Sequence, residues 1–356
     1  MEAKEDMKRR ELLQRAGFTG AGAALLGSGA SLFNPGMLAE AAPVHTSLSQ
    51  FRFECIVKTV ASTYWTYVMA GAKHAAKDLG VTGLAYTGGP SEADIAAEVA
   101  LIEDAIVKKP DFIVCAPTDK TALDSSLDKA YNAGIKVILI DSDAPAASRQ
   151  AFLSTNNFVA GTKCADALAA AIKAKTGAAA GQIAYATFQS NVGSLGERDA
   201  GFLSQIKNYP GLKIVAHKDA GGDPSFLKEA SIAADTITAF PNLVGYFGDN
   251  LQCVEGAANA FKEKNVDPKK VSLIGFDSDN TLVAYLKSGR VDGLLLQDPY
   301  MMGYGGVWYG VMAAIGVQVP PALDTGSIVA TTAMASSPLV QGLLLPTGTP
   351  GRDLGL

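Results

Sequence analysis

From Phe53 onward the chain alternates, over and over, between two kinds of segment. Short β-branched or aromatic runs are followed by Ala-rich stretches with helical spacing. The runs predict strands over 53–60, 84–86, 112–116, 136–140, 182–186, 213–216, 243–247, 271–276 and 294–297. The stretches predict helices over 65–79, 92–107, 123–132, 158–175, 226–240 and 252–264. Within 92–107, Ile95, Val99, Ile102 and Ile106 recur at three- and four-residue steps, which gives one buried stripe. Lys109-Pro110 then stops that helix, because a residue before proline is driven out of the helical region. Alternation sustained this far predicts parallel sheets with helices on both faces. The series is also run through twice. The first pass ends near Leu153-Ser154-Thr155, and the second starts at Asn156-Asn157 and finishes near Gln297.

Ahead of this pattern stands a different kind of segment. Lys8-Arg9-Arg10-Glu11-Leu12-Leu13-Gln14 precedes a Gly/Ala-rich apolar run from Phe18 to Phe33, and Ala39-Glu40-Ala41 lies directly before Ala42-Pro43. Paired arginines, a short apolar core and an A-x-A site read as an export leader of twin-arginine type over residues 1–41. Gly20, Gly22, Gly27 and Gly29 interrupt the run, which falls short of the roughly 20 strongly apolar residues of a membrane span. Cys55, the first cysteine, follows Phe53-Glu54 and makes no lipoprotein site. The expectation is a soluble protein in the periplasm, or otherwise outside the cytoplasm, once the leader is cut.

Removing 41 of 356 residues leaves 315, more than one core usually organises, so two domains are expected. The leader holds five acidic and five basic residues, so the net charge of −5 belongs to the remainder. No Lys/Arg run stands out, which argues against nucleic acid as a partner. Cys55, Cys115, Cys164 and Cys253 each sit inside an apolar element without C-x-x-C spacing, so buried free thiols are expected. His45, His74 and His217 are too scattered to suggest a zinc site, and no cofactor motif is visible.

In doubly wound sheets ligands bind beyond the carboxyl ends of the strands. Those positions are polar or aromatic here. Strand one leads to Ser62, Tyr64 and Trp65, and strand four to Asp141-Ser142-Asp143. The first strand of the second half leads through Ser190 and Asn191 to Arg198. Later strands lead to Asp249-Asn250, Asp277 and Gln297. Each residue also has a plainer reading: Trp65 as helix-start packing, Asp141 and Asp277 as turn or cap residues, Arg198 as a surface arginine. Trp308 and Tyr309, in a helical stretch after the last crossover, read as core.

Together, in this order and spacing, Tyr64-Trp65, Asp141, Thr155-Asn156-Asn157, Arg198-x-x-Gly201-Phe202, Phe247-x-x-Asn250, Gly275-Phe276-Asp277 and Gln297 resemble the periplasmic solute-binding proteins of the ribose-binding type. The resemblance runs from about residue 51 to about residue 330. It implies an α/β fold of two doubly wound parallel-sheet lobes joined by a multi-strand hinge, the type I periplasmic binding protein architecture. The lobes are then 42–155 with 298–326, and 156–297 with 327–337, followed by an extended tail over 338–356. It implies a small sugar or alditol as ligand, an ABC importer permease as partner, and a membrane chemoreceptor as an alternative partner. Tyr64 and Trp65 would stack on the ligand, while Ser62, Asp141, Arg198, Asn250, Asp277 and Gln297 would bond its hydroxyls. The sequence departs from the ribose binders at Ser142, where they carry arginine, and at Gly221-Gly222, where they carry an aromatic. A serine leaves a gap and removes a cation, which points to a linear sugar alcohol ahead of ribose.

Two other classes compete. An exported α/β enzyme would need a catalytic constellation, and Gly20-x-Gly22 follows no strand, so it is no dinucleotide fingerprint. A repressor of the lac repressor type shares this core but needs a basic helix-turn-helix where the leader stands. The leader reading is checked by mass spectrometry of the secreted chain: Ala42 should be the first residue, and an intact leader retained in a membrane fraction would refute it.

Overall fold

The computed structural model describes residues 45–223 and 226–345. The expected leader lies outside the described residues. Strands β1 (Arg52–Thr59), β2 (Gly83–Gly89), β3 (Phe112–Cys115), β4 (Lys136–Ile140) and β5 (Ala151–Ser154) come first. Then follow β6 (Gly181–Thr187), β7 (Leu212–Asp219), β8 (Leu243–Gly248), β9 (Ser272–Phe276), β10 (Gly293–Leu296), β11 (Ala322–Asp324) and β12 (Ile328–Thr331). The first sheet is ordered β11-β5-β4-β3-β1-β2, and all its neighbours are parallel. The second is ordered β12-β10-β9-β8-β6-β7, with only β12 antiparallel to its neighbour. The orders 2-1-3-4-5 and 7-6-8-9-10 are the same, so the repeat read in the sequence is a repeat of the fold. In each sheet the order reverses beside its first strand, and a crevice for a ligand opens at that switch point.

The inner strands form because apolar residues fill them and both faces are covered, while the edge strands β2, β7 and β11 are partly exposed. Val137, Ile138, Leu139 and Ile140 are all fully buried. Helix Asn157–Thr176 packs on β8 and β9 of the second sheet, and helix Pro299–Ala314 returns to β3, β4 and β5 of the first. The chain thus passes between the sheets after Ser154, after Leu296 and between Asp324 and Ile328. Strand β5 and the two short strands β11 and β12 carry no strong sequence signal.

Two expectations need revision. The helix expected over 92–107 spans Ile95–Lys108, and its most buried residues are Glu98, Ile102 and Ala105, with Ile95, Val99 and Ile106 only half-buried. A carboxylate therefore sits inside the stripe. Glu98 accepts the Thr118 amide at 2.9 Å and the Cys115 thiol at 3.6 Å, and burial pushes its carboxyl up to about 7. The extended tail from Pro338 is instead a helix over Pro338–Leu344 in its first part. Proline suits the first helical turn, and Val340 and Leu344 bury in the second core. Residues 346–356 lie outside the described residues. All four cysteines are buried and free, and Trp308 and Tyr309 pack against the first core.

Close helix contacts fix each lobe. An ideal Cβ on Gly201 would lie 2.0 Å from the Phe158 carbonyl oxygen, and one on Gly161 2.0 Å from that of Arg198. Helices Asn157–Thr176 and Gly193–Ile206 therefore meet backbone to backbone. The first lobe repeats the device, with Gly71 against Tyr300 and Gly303 against Val68. Gly201→Ala should force these helices apart and lower stability by about 1–3 kcal/mol, the usual cost of overpacking. Urea denaturation measures it, and an unchanged midpoint would contradict the contact.

Candidate functional site

Asp141 and Asp277 occupy equivalent places in the two lobes, directly after β4 and β9. Both have left-handed backbone, with φ of 61° and 66°. Aspartate tolerates this region, which is otherwise uncommon for a residue with a Cβ and concentrates at functional sites. In each case the amide donates to the next strand, Asp141 to the Leu153 carbonyl at 3.0 Å and Asp277 to that of Leu295 at 2.8 Å. The ladder thus holds both backbones while the side chains stand beyond the sheet ends.

A small cavity lies between these ends, lined from the first lobe by Lys58, Ser62, Tyr64, Trp65, Glu92 and Asp141. Tyr64 and Trp65 start helix Thr63–Leu79 and meet edge to face, with centroids 5.0 Å apart. Both are buried. The Tyr64 hydroxyl donates to Asp141 Oδ1 at 2.8 Å, and the Trp65 indole N–H to Glu92 Oε1 at 3.0 Å. Ser62 is the N-cap of this helix but makes no capping bond with its side chain.

From the second lobe come Ser194, Leu195, Arg198, Asn250, Leu251, Gln252, Asp277 and Gln297. Arg198 is buried, not a surface arginine. Its Nε donates to Asn157 Oδ1 at 2.8 Å, its Nη1 to the Asp249 carbonyl at 2.9 Å, and its guanidinium lies 4.2 Å from the centre of the Phe276 ring. Asn250 caps helix Leu251–Glu263 by accepting the Cys253 amide at 2.9 Å, so its turn role and its cavity position coexist. Gln297 Nε2 donates to Asp277 Oδ1 at 2.8 Å, while Gln297 Oε1 is buried with no partner among the described residues.

Eight of the nine residues singled out in the sequence therefore line one cavity. Ser142 is the exception. It stands behind Asp141, with its hydroxyl 2.8 Å from Lys58 Nζ and 2.9 Å from Ser194 Oγ. The gap expected beside it is filled by Lys58, whose Nζ also reaches Asp141 Oδ2 at 3.0 Å. The premise that this side of the site has lost its cation is thus overturned: a different strand supplies one. The Gly221-Gly222 departure also reads differently, since a Cβ on Gly222 would lie 2.8 Å from that of Ala93 in the other lobe. The glycine permits that approach, with φ of 75°.

Sequence reasoning missed Lys58, Glu92, Ser194 and Gln252. Lys58 did carry a signal, as a lysine directly after the apolar run Cys55-Ile56-Val57 near the carboxyl end of β1. Glu92 and Gln252 gave none.

The charges are balanced. Burial raises Asp141, but Lys58, Arg198 and the Tyr64 hydrogen bond outweigh it and hold the carboxyl below its ordinary value. Burial pushes Asp277 up to about 6, with Arg198 and Gln297 acting against it. Burial likewise raises Glu92, despite Lys58 and the Trp65 bond. Two cations thus face one firmly ionised carboxylate and two weaker acids. Such a lining suits a small neutral molecule with an apolar face and several hydroxyls.

Residues 53–317 match the family described as periplasmic binding protein domain. A carbohydrate transporter solute binding protein from Agrobacterium radiobacter, solved in complex with D-arabinose, is 40% identical with a TM-score of 0.80, covering 84% of this chain and 100% of that one. An ABC transporter solute binding protein from Agrobacterium vitis with bound D-fucose is 31% identical with a TM-score of 0.75, covering 82% and 99%. Among curated proteins, the ribose import binding protein of Haemophilus influenzae is 26% identical over 251 residues, 70% of this chain and 81% of that one.

The raised Asp277 has a signed consequence. Its folded value of about 6 exceeds the unfolded value near 4, so the native state holds the extra proton in that window. Stability from this group is therefore gained as pH falls through 6 and is lost above it. Asp277→Asn should gain on the wild type as pH rises from about 4 to about 7. Urea unfolding at four pH values tests this, and parallel profiles would overturn it.

Proposed function

The chain belongs to the periplasmic binding protein family, and from that premise we propose that it binds one monosaccharide in ring form and delivers it to an ABC importer. The observation that carries the reading is the pairing of an aromatic wall, Tyr64 and Trp65, with a rim of planar polar groups from both lobes. Aromatic rings cover the C–H face of a sugar, and carboxylate, guanidinium and amide groups satisfy its hydroxyls.

In this reading Tyr64 and Trp65 stack on the sugar. Ser62, Asp141, Arg198, Asn250, Asp277 and Gln297 bond its hydroxyls, and Ser142 acts from behind Asp141. In the same reading the lobes are 42–155 with 298–326, and 156–297 with 327–337. Three chain crossings between the sheets support a hinge there, and hinge closure around a ligand is a known motion of such proteins. The function is binding without catalysis, and the leader over 1–41 carries the chain to the periplasm.

For the ligand itself, the cation restored by Lys58 removes the reason to favour a linear sugar alcohol. A cyclic aldose, first of all an aldopentose, fits better, in keeping with the D-arabinose held by the Agrobacterium radiobacter relative.

Calorimetric titration of the leader-free chain with D-arabinose, D-ribose, D-fucose, xylitol and arabinitol tests the reading. Heat is expected from the ring sugars, with alditols weaker. Response to alditols alone would overturn the ring-sugar assignment, and response to no sugar would overturn the function. Asp277→Ala should weaken binding roughly ten- to a hundredfold, the effect of losing a hydrogen bond to a charged group. Unchanged affinity in both Asp277→Ala and Trp65→Ala would displace the site.

A further inference from the structure

The two strand-end aspartates are equivalent in the fold but not in their bonding. Asp277 accepts a side-chain hydrogen bond from Gln297. Asp141 accepts three, from the Tyr64 hydroxyl on Oδ1 and from Lys58 Nζ and the Ser142 hydroxyl on Oδ2. An ionised carboxylate offers about four lone-pair positions, so Asp141 keeps room for about one further donor. Asp277 is the open carboxylate, and Asp141 belongs chiefly to a network.

That network crosses the cleft. A serine hydroxyl has one hydrogen. Ser142 gives its hydrogen to Asp141 and accepts from Lys58, so its contact with Ser194 at 2.9 Å must be donated by Ser194. Ser194 lies in the first turn of helix Gly193–Ile206, the helix that also carries Arg198. Lys58, Ser142 and Ser194 are all buried. Opening the lobes would break the Ser142–Ser194 bond. A further lobe-to-lobe bond, from the Lys120 amide to the Asn191 carbonyl at 3.3 Å, is backbone only and has no link to the charges.

Lys58 stands at both ends of this arrangement. Its ammonium has three donors, of which two go to Asp141 and Ser142, and it lines the cavity. The third makes no hydrogen bond among the described residues, and the ammonium also lies 5.6 Å from the centre of the Trp65 ring at the cavity wall, so this hydrogen is left for an acceptor oxygen of a bound molecule. We propose that Lys58 is a positioning residue that couples ligand binding to lobe closure, through the chain Lys58–Ser142–Ser194 across the cleft. This rests on the monosaccharide reading above for its ligand, though not for the interlobe bond itself. A ligand oxygen on the ammonium fixes Lys58, Lys58 fixes the Ser142 oxygen as an acceptor, and Ser194 of the second lobe closes onto it.

A double-mutant cycle tests the coupling, with D-arabinose as probe in calorimetry. Ser194→Ala should weaken binding roughly two- to tenfold and Lys58→Met roughly ten- to a hundredfold, as for neutral and charged hydrogen bonds. The double variant should be scarcely weaker than Lys58→Met alone, because groups in one network are not additive. Ser194→Thr, which keeps a hydroxyl, should restore most of the affinity. Multiplied losses in the double variant, or wild-type affinity in Ser194→Ala, would overturn the proposal. If Lys58→Met does not fold, Ser142→Ala takes its place in the cycle with the same two outcomes. If no sugar gives heat, the ligand reading fails separately and the interlobe bond is read without ligand: small-angle scattering should give Ser194→Ala a larger radius of gyration than wild type, and equal radii would overturn the bond.

Discussion

Charge buried at the floor of a cleft is the constraint around which this molecule is arranged. Taking an ammonium, a guanidinium and carboxylates out of water costs several kcal/mol each unless partners replace the lost hydration. Lys58, Arg198 and Asp141 are all buried, and each is held by close polar groups. Arg198 meets an amide oxygen, a main-chain carbonyl and an aromatic face. To reach Asn157 it needs its helix pressed against helix Asn157–Thr176, and Gly161 and Gly201 make that approach feasible. A packing detail at two glycines thus serves an electrostatic requirement at the site.

The acids behind Arg198 obey the same constraint in another way. Burial first, then the neighbouring Asp199, push Asp249 well above the ordinary carboxylate range. Burial also raises Asp199, to about 6. The arginine donates to the Asp249 main-chain carbonyl, and its positive charge acts against the rise of both carboxyls. The cation remains close to Asp277, which it helps to ionise.

Two copies of one strand order give the site its frame, while differences between the copies give it a direction. Asp141 and Asp277 share a backbone conformation and a bond to the next strand. The first lobe surrounds its aspartate with Lys58, Ser142 and Tyr64, and the second leaves its own with Gln297. Among the described residues, the aromatic side chains lining the cavity, Tyr64 and Trp65, come from the first lobe. Such a division puts the aromatic surface on one lobe and the less-bonded carboxylate on the other.

The alternation of apolar runs with Ala-rich stretches determined the fold class, because a parallel strand covered on both faces must be apolar throughout and a surface helix must be amphipathic. The strand ends followed from it, since polar residues directly after such strands have few other reasons to be there. Ser62, Tyr64, Trp65, Asp141, Arg198, Asn250, Asp277 and Gln297 were legible on that ground. Elements stabilised by distant contacts were not. Helix Pro338–Leu344 is seven residues long and depends on Val340 and Leu344 finding the second core. Strands β11 and β12 exist because a sheet edge is waiting for them. Glu98 broke the helical stripe because its partners, Thr118 and Cys115, come from another part of the chain. Lys58 shows the difference most clearly. Local sequence marked it as an odd residue in a strand, but its partners lie 83 and 84 residues away. Where the charge of Lys58 goes, and whether the place beside Ser142 is empty, depends on which strands become neighbours, and only the folded sheet decides that.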